Sequence, residues 1–174
     1  MAIPLLWIGA AAVATYAGVK YSDRLEHTKS TVKHFPGQTE IPVKPGNGAI
    51  VCCEVYGVLD HTGIWVDDYI IELSGSGLVR SISPQRFLQE RSGRTVYVAC
   101  GSEHTSFNSD ATAERAAANI YTYRPYDILR NNCHHFVWEM LAQDGQRVGR
   151  FSQLNRQLAN IHGETVSWHP ISLF

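Results

Sequence analysis

Two residues of this chain, Cys133 and His61, have side chains suited to covalent acyl transfer. Cys133 lies in the tripeptide Asn132-Cys133-His134, at a predicted helix start. His61 lies upstream, in a predicted strand. A helix start stabilises an anion through its unpaired N–H groups and its dipole, and this lowers the pKa of a thiol. Because a thiolate beside an imidazole can form and release a thioester, we predict that Cys133 is a nucleophile and His61 its general base and acid.

The segment around Cys133 also fits a purely structural role. Asn131 or Asn132 is the predicted N-cap of a helix over residues 133–142. Cys133 shares one face of that helix with four apolar residues: Phe136, Val137, Met140 and Leu141. A residue on such a face commonly packs into the core. The two roles are compatible, because an inward-facing cysteine at a helix start can contact a neighbouring sheet.

A predicted hairpin brings Glu72 towards His61. Asp67 and Asp68 fit a two-residue loop between two short strands. That loop places His61 and Glu72 on one face of the hairpin as diagonal neighbours. A carboxylate raises the basicity of an imidazole and fixes its tautomer, so Glu72 is predicted to orient His61. Two alternatives stay open: both side chains lie on a solvent-exposed face, or a three-residue loop separates them.

The order of predicted elements, strands first and helices later, indicates an α+β fold. With 174 residues, 44% of them apolar, the chain is long enough for one core and an appendage. The predicted strands cover residues 49–56, 61–66, 69–74, 78–81 and 95–100. The predicted helices cover residues 84–88, 111–121, 133–142 and 148–161.

The N-terminal segment is predicted to anchor the protein in a membrane. Residues 3–19 carry no charge, and the length of this segment is at the short end of the roughly 17–25 residues that span a bilayer. Basic residues follow at Lys20, Arg24, Lys29 and Lys33. By the positive-inside rule, a hydrophobic helix over residues 1–20 would be a single span with the globular part in the cytoplasm. The alternatives are a signal peptide cleaved near Ala12-Val13-Ala14, although no basic residue precedes it, and a core or partner-binding helix.

The remaining chain divides into three predicted parts. Residues 21–40, rich in polar residues with Pro and Gly, read as a linker. Residues 41–145 form the predicted catalytic domain, and residues 146–174 an amphipathic helix and tail. The apolar stripe of that helix comprises Val148, Phe151, Leu154, Leu158 and Ile161. It is expected to pack on the domain or, alternatively, to bind a partner.

Charge and cysteine usage exclude several classes of function. A net charge of -1 gives no basic excess for binding nucleic acid. No C-x-x-C pair occurs, so we predict no metal site, and we expect no cofactor. Cys52, Cys53 and Cys100 are expected to be small buried hydrophobes, the first two pointing to opposite faces of one strand. Their spacing is not a disulfide framework, which favours a reducing compartment.

The chain resembles the lecithin–retinol acyltransferase-like family, a permuted branch of the papain-like cell-wall peptidase superfamily. The matching segments are Pro45-Gly46, residues 61–67 and residues 126–137, and they span about residues 41–142. The family's motifs read roughly H-W-G-I-Y-V-G-D and N-C-E-H-F, in the same order. The resemblance implies a permuted papain-like fold, with a small antiparallel sheet packed on helices.

The resemblance also implies residue roles. Cys133 would be the nucleophile and His61 the base that later acts as acid. The family's third polar residue is commonly a second histidine, whereas Glu72 stands here, one residue earlier. His134 replaces the family's usual Glu. The backbone N–H of Cys133 or His134, at the helix start, is a candidate donor to an oxyanion.

The expected function is therefore that of a thiol-dependent lipid acyl hydrolase or acyltransferase of phospholipase A type. The expected partners are a membrane and a phospholipid or other acyl-chain substrate. A cysteine peptidase or amidase is one alternative, since the same Cys–His pair cleaves peptide-like bonds. A non-catalytic, membrane-tethered interaction module is the other, with residues 148–161 as its contact surface.

Overall fold

The computed structural model describes residues 31–55, 59–89 and 91–172, which form an α+β fold. Seven strands form one mixed sheet: β1 Val32–His34, β2 Ile50–Val55, β3 Leu59–Val66, β4 Tyr69–Leu73, β5 Val79–Ile82, β6 Tyr97–Cys100 and β7 Val166–Pro170. The described residues contain four helices: α1 Pro84–Gln89, α2 Asp110–Ala118, α3 Cys133–Ala142 and α4 Phe151–His162.

The sheet is larger than expected and is not purely antiparallel. Its strand order is β1-β7-β6-β2-β3-β4-β5. All neighbours are antiparallel except β1 and β7, which pair in parallel. The expectation of a small antiparallel sheet was wrong because β1 lies in the predicted linker and β7 in the predicted tail. A three-residue strand with a partner at the far end of the chain leaves little local signal.

The β3–β4 hairpin has the predicted two-residue loop. Val66 pairs with Tyr69, so Asp67 and Asp68 form the turn, with φ of 47° and 66°. Positive φ at both positions is typical of a type I′ turn, whose twist suits a tight hairpin. The side chain of Asn47 fixes the turn by accepting from the Asp67 N–H at 2.9 Å and donating to its carboxylate at 3.0 Å. The alternative of a three-residue loop is therefore excluded.

Both faces of the sheet are buried. Alternate residues of β2 join opposite apolar clusters, so that Cys52 and Cys53 point to different faces, as predicted. The first cluster includes residues of α3 and α4. The second cluster includes Phe87 of α1, which has no exposed surface. The hairpin face that carries His61 and Glu72 is consequently covered by α1, and the alternative of a solvent-exposed face was wrong.

Asn132 is the N-cap of α3, one of the two residues predicted for that role. Its side-chain oxygen accepts from the N–H groups of His134 and His135, at 3.0 and 3.2 Å. Its amide nitrogen donates to the carbonyls of Ile128 and Gly149, at 2.7 and 2.8 Å. One buried side chain therefore fixes the helix start to two loops, and this sets the position of Cys133.

Two predictions concern the ends of the chain. The hydrophobic helix expected over residues 1–20 lies outside the described residues. Within the described ranges, no helix is both long enough and apolar enough to cross a membrane. The amphipathic C-terminal segment forms α4, whose Phe151, Leu154 and Leu158 pack into the first cluster. Ile161, assigned to the same stripe, is 51% exposed.

Candidate active site

Cys133 and His61 meet in the folded chain. Cys133 is the first residue of α3 and His61 lies on β3, and both are buried. Burial alone raises the pKa of the Cys133 thiol. The charges of His134 and His61, together with hydrogen bonds to both rings, outweigh burial and hold this pKa well below its ordinary value. The favoured state of the pair is thus a thiolate beside an imidazolium.

Glu72 is the hydrogen-bond partner of His61 on the side away from the sulfur. His61 Nε2 lies 2.7 Å from Glu72 Oε2, and the carboxylate has no exposed surface. Burial lowers the pKa of His61, but the charges of Cys133 and Glu72 and hydrogen bonds to both raise it to about 9. Because Nε2 is taken by the carboxylate, Nδ1 is the ring nitrogen that faces the sulfur. The three predicted residues therefore form one continuous hydrogen-bonded chain.

Two arginines also bind the Glu72 carboxylate, and one of them shares Oε2 with His61. Arg80 Nε donates to Oε1 at 2.9 Å, and Arg91 Nη2 donates to Oε2 at 2.7 Å. Burial raises the pKa of Glu72, but the hydrogen bond and charge of His61, the charge of Arg91 and the Arg80 hydrogen bond lower it to about 2. Glu72 thus stays ionised and orients the imidazole without taking its proton.

Sequence reasoning missed both arginines. Arg80 had a local signal, because it pairs directly with Glu72 across the β4–β5 hairpin. Arg91 had none, since it follows α1 and reaches the carboxylate only through the tertiary fold. Its guanidinium lies 4.8 Å from the centre of the Phe87 ring and donates to the Phe87 carbonyl. The centre of the Phe87 ring in turn lies 5.3 Å from that of the His61 ring, so Phe87 packs beside two of the groups that bind Glu72.

The side chain of His134 is a second imidazole at the sulfur, which the sequence did not indicate. His134 Nδ1 lies 3.1 Å from Thr62 Oγ1, and its ring is hydrogen-bonded to Cys133. The N–H of His134, predicted as a candidate oxyanion donor, instead donates to the side chain of Asn132. The N–H groups of Cys133 and His134 were the two candidate oxyanion donors, and the capping bonds to Asn132 do not involve that of Cys133.

Tyr126 contributes a further polar group at the sulfur. Its burial, the negative charge of Cys133 and a hydrogen bond to Cys133 raise the pKa of this phenol to about 12. The hydroxyl therefore stays protonated and donates towards the thiolate. Tyr126 lies inside the motif that carries the family resemblance, but nothing in the sequence assigned it to the site.

The other cysteines have the properties of core residues. Cys52, Cys53 and Cys100 are free and buried, as predicted. Burial raises the pKa of all three thiols, to about 12 for Cys53 and Cys100. In the described part of the chain, no cluster of three or more His, Cys, Asp or Glu side chains is arranged to hold a metal ion. Cys133 therefore differs from the other thiols in its electrostatics.

No family model matches this sequence, and no curated protein matches it either. The chemistry of the site is consequently inferred from its own geometry. A thiolate next to an imidazolium, with a carboxylate on the far ring nitrogen, has the groups needed to attack a carbonyl and to protonate the leaving group.

Proposed function

We propose that this chain is a thiol-dependent lipid acyl hydrolase or acyltransferase of phospholipase A type. The observation that carries the proposal is the buried, hydrogen-bonded group of three side chains: Cys133, His61 and Glu72. The substrate class is supported by the motifs that resemble those of the lecithin–retinol acyltransferase-like family. We also assign the chain to that family and propose that its fold is the permuted papain-like fold. The charge-free run at residues 3–19 supports a membrane anchor, with the domain on the cytoplasmic side.

The first half-reaction acylates Cys133. The thiolate attacks the ester carbonyl carbon, a C–S bond forms, and the carbonyl oxygen becomes an oxyanion near the helix start, where the N–H of Cys133 can donate to it. The C–O bond then breaks as His61 gives its Nδ1 proton to the departing alcohol oxygen. The products are a thioester on Cys133, a released alcohol and a neutral imidazole.

The second half-reaction releases the acyl group. Neutral His61 takes a proton from water or another acceptor, whose oxygen or nitrogen attacks the thioester carbonyl. The C–S bond breaks and the thiolate is restored beside an imidazolium. Throughout, Glu72 accepts from Nε2 and keeps the Nδ1 edge directed at the sulfur.

The test is the trapping of the acyl group on the full chain. The protein is incubated with a phospholipid carrying a labelled acyl chain, and hydroxylamine-sensitive label on the protein is measured. We expect label on the wild type and on Cys100→Ala, which removes a buried core thiol, and none on Cys133→Ala. Retention of thioester label by Cys133→Ala would refute the assignment of the nucleophile.

The same preparation separates the alternatives. A labelled cell-wall tetrapeptide is tested beside the phospholipid, and preferential cleavage of the peptide indicates a peptidase or amidase. A Cys133 thiol that reacts with iodoacetamide no faster than a free thiol, without label from either substrate, indicates a non-catalytic module. Each of these results contradicts the lipid acyl-transfer proposal.

A further inference from the structure

A short segment before α3 exposes an unusual amount of apolar surface. Four large hydrophobic side chains between residues 121 and 129 are exposed: Tyr121 by 83%, Tyr123 by 74%, Ile128 by 63% and Leu129 by 74%. Elsewhere in the described residues, the other exposed large hydrophobics are scattered: Ile41, Tyr69 and Ile161. Single exposed hydrophobics are ordinary, whereas a group on one loop indicates a contact surface.

This segment is joined directly to the reactive cysteine. The carbonyl of Ile128 accepts from the side chain of Asn132, the N-cap of the helix that Cys133 begins. Tyr126, between the two exposed pairs, is hydrogen-bonded to Cys133. The exposed side chains therefore belong to the same segment whose backbone and tyrosine hydroxyl contact the site of the sulfur.

The charges beside the apolar side chains are mainly basic. Arg130 and Arg150 are exposed. Arg150 lies close to Leu129 because the preceding residue, Gly149, packs against the Leu129 backbone. A Cβ on this glycine would be 2.4 Å from the Leu129 carbonyl oxygen. The carboxylate of Asp127 accepts from the N–H groups of Leu129 and Arg130, both at 2.9 Å, and shapes the turn. The surface thus offers apolar tips flanked by cations.

We propose that residues 121–130, the docking segment, bind the surface of a bilayer that contains anionic lipid and bring a lipid ester to Cys133. Ile and Leu side chains suit the acyl boundary, Tyr suits the headgroup level, and Arg suits lipid phosphate. The inference rests on the proposed function, and it adds the physical form of the substrate: a lipid within a membrane surface.

The first experiment measures contact with the bilayer at one position. Leu129→Cys is labelled with the environment-sensitive fluorophore NBD in a full chain that carries Cys133→Ala. Glu103→Cys, at an exposed position of another loop, is the matched control. We expect a blue shift and brighter emission at position 129 with phosphatidylcholine–phosphatidylglycerol vesicles, a weaker response with phosphatidylcholine alone, and no change at position 103. Residues 1–30 are present in both proteins and contribute equally.

The second experiment measures the consequence for turnover. We expect the double variant Ile128→Asp/Leu129→Asp to hydrolyse vesicle phospholipid at least roughly tenfold more slowly, because the transfer of even one leucine side chain from water is worth that factor. Its hydrolysis of a monomeric short-chain ester should fall by a much smaller factor, so the ratio of the two rates reports contact with the vesicle. Ile161→Asp, which changes an exposed apolar residue on α4, should alter neither rate.

The results separate this proposal from the proposed function. An unchanged NBD spectrum at position 129, or an unchanged rate on vesicles in the double variant, overturns the docking segment while ester hydrolysis can stand. Concentration-dependent self-association that the double variant abolishes overturns it in favour of a second copy of the chain. If the probe at position 129 inserts but the wild-type chain hydrolyses no ester, the proposed function is overturned and the docking segment stands.

Discussion

Replacing Glu72 by Gln should make the thiolate of Cys133 harder to form. The substitution removes the charge from the hydrogen bond that Glu72 accepts from His61 over 2.7 Å. Hydrogen bonds to charged groups contribute about 1.5–3 kcal/mol, and about 1.4 kcal/mol corresponds to one pKa unit. We therefore expect the pKa of His61 to fall from about 9 by roughly one to two units. Because imidazolium stabilises thiolate, the pKa of Cys133 should rise by a similar amount.

The assay follows thiolate absorbance at 240 nm against pH, with the spectrum of Cys133→Ala subtracted. Burial keeps the pKa of Cys53 and Cys100 at about 12, so these thiols stay protonated over the range scanned. Glu139→Gln is the matched control, because it also removes a carboxylate from an arginine ion pair, with Arg124 at 2.6 Å. The control should reproduce the wild-type midpoint.

Loss of the Glu72 charge also removes the carboxylate that Arg80 and Arg91 bind, and the carboxylate itself has no exposed surface. Removal of one partner of a buried ion pair costs about 3–5 kcal/mol, so near-UV circular dichroism is recorded for every variant. The double variant Glu72→Gln/Arg91→Gln also removes one of the two guanidinium groups and should show the same direction of shift at Cys133. If both variants are folded and their thiolate midpoints equal that of the wild type, Glu72 does not act on the Cys–His pair.

Three further predictions use other features of the site. Asn132→Ala should lower the free energy of unfolding in urea by about 2 kcal/mol, because the helix loses its cap and two carbonyls lose their donor, and an unchanged midpoint would contradict this role. Tyr126→Phe should raise the thiolate midpoint by roughly one pH unit, because the sulfur loses a donated hydrogen bond, whereas a lowered midpoint would mean that the hydroxyl does not donate to the sulfur. The Glu72 carboxylate contributes about 3 kcal/mol to the free energy of unfolding above pH 4.5, and this contribution is lost as pH falls towards 2. From pH 6.5 to 9 the His61 contribution is lost, but the lowered pKa of Cys133 adds stability over the same range, because the unfolded thiol still holds its proton. Urea titrations across pH check the acid range, and a free energy of unfolding that does not fall between pH 4.5 and 2 would refute the prediction.

The parts of the site that sequence reasoning located are those governed by local rules. A two-residue loop fixes the register of a hairpin, and this placed Glu72 on the same face as His61. An asparagine before an apolar helical pattern marks a helix start, and this placed Cys133 at the first position of α3. Both inferences needed only neighbours within about a dozen residues.

The parts that were missed depend on contacts between distant segments. Burial of the His61 face comes from Phe87 on α1, and no pattern within the hairpin records that helix. Arg91 reaches Glu72 from a different segment for the same reason. The strands β1 and β7 pair across most of the chain length, so neither could be recognised by a turn next to it. Periodicity describes which face of an element is apolar, but not what covers the other face.

The order of proton transfers in the proposed reaction follows from what holds the proton on His61. Burial lowers the pKa of this imidazole, and among the raising influences the charge of Cys133 and its hydrogen bond rank above Glu72. Formation of the thioester removes that negative charge, so the pKa of His61 falls at the moment when the leaving alcohol needs a proton. Because the thioester sulfur stays neutral, His61 then remains a free base that can activate the incoming acceptor. Arg80 and Arg91 lower the basicity of Glu72, which prevents the carboxylate from taking the imidazole proton in either half-reaction. The same buried groups thus give His61 the role of acid first and of base second.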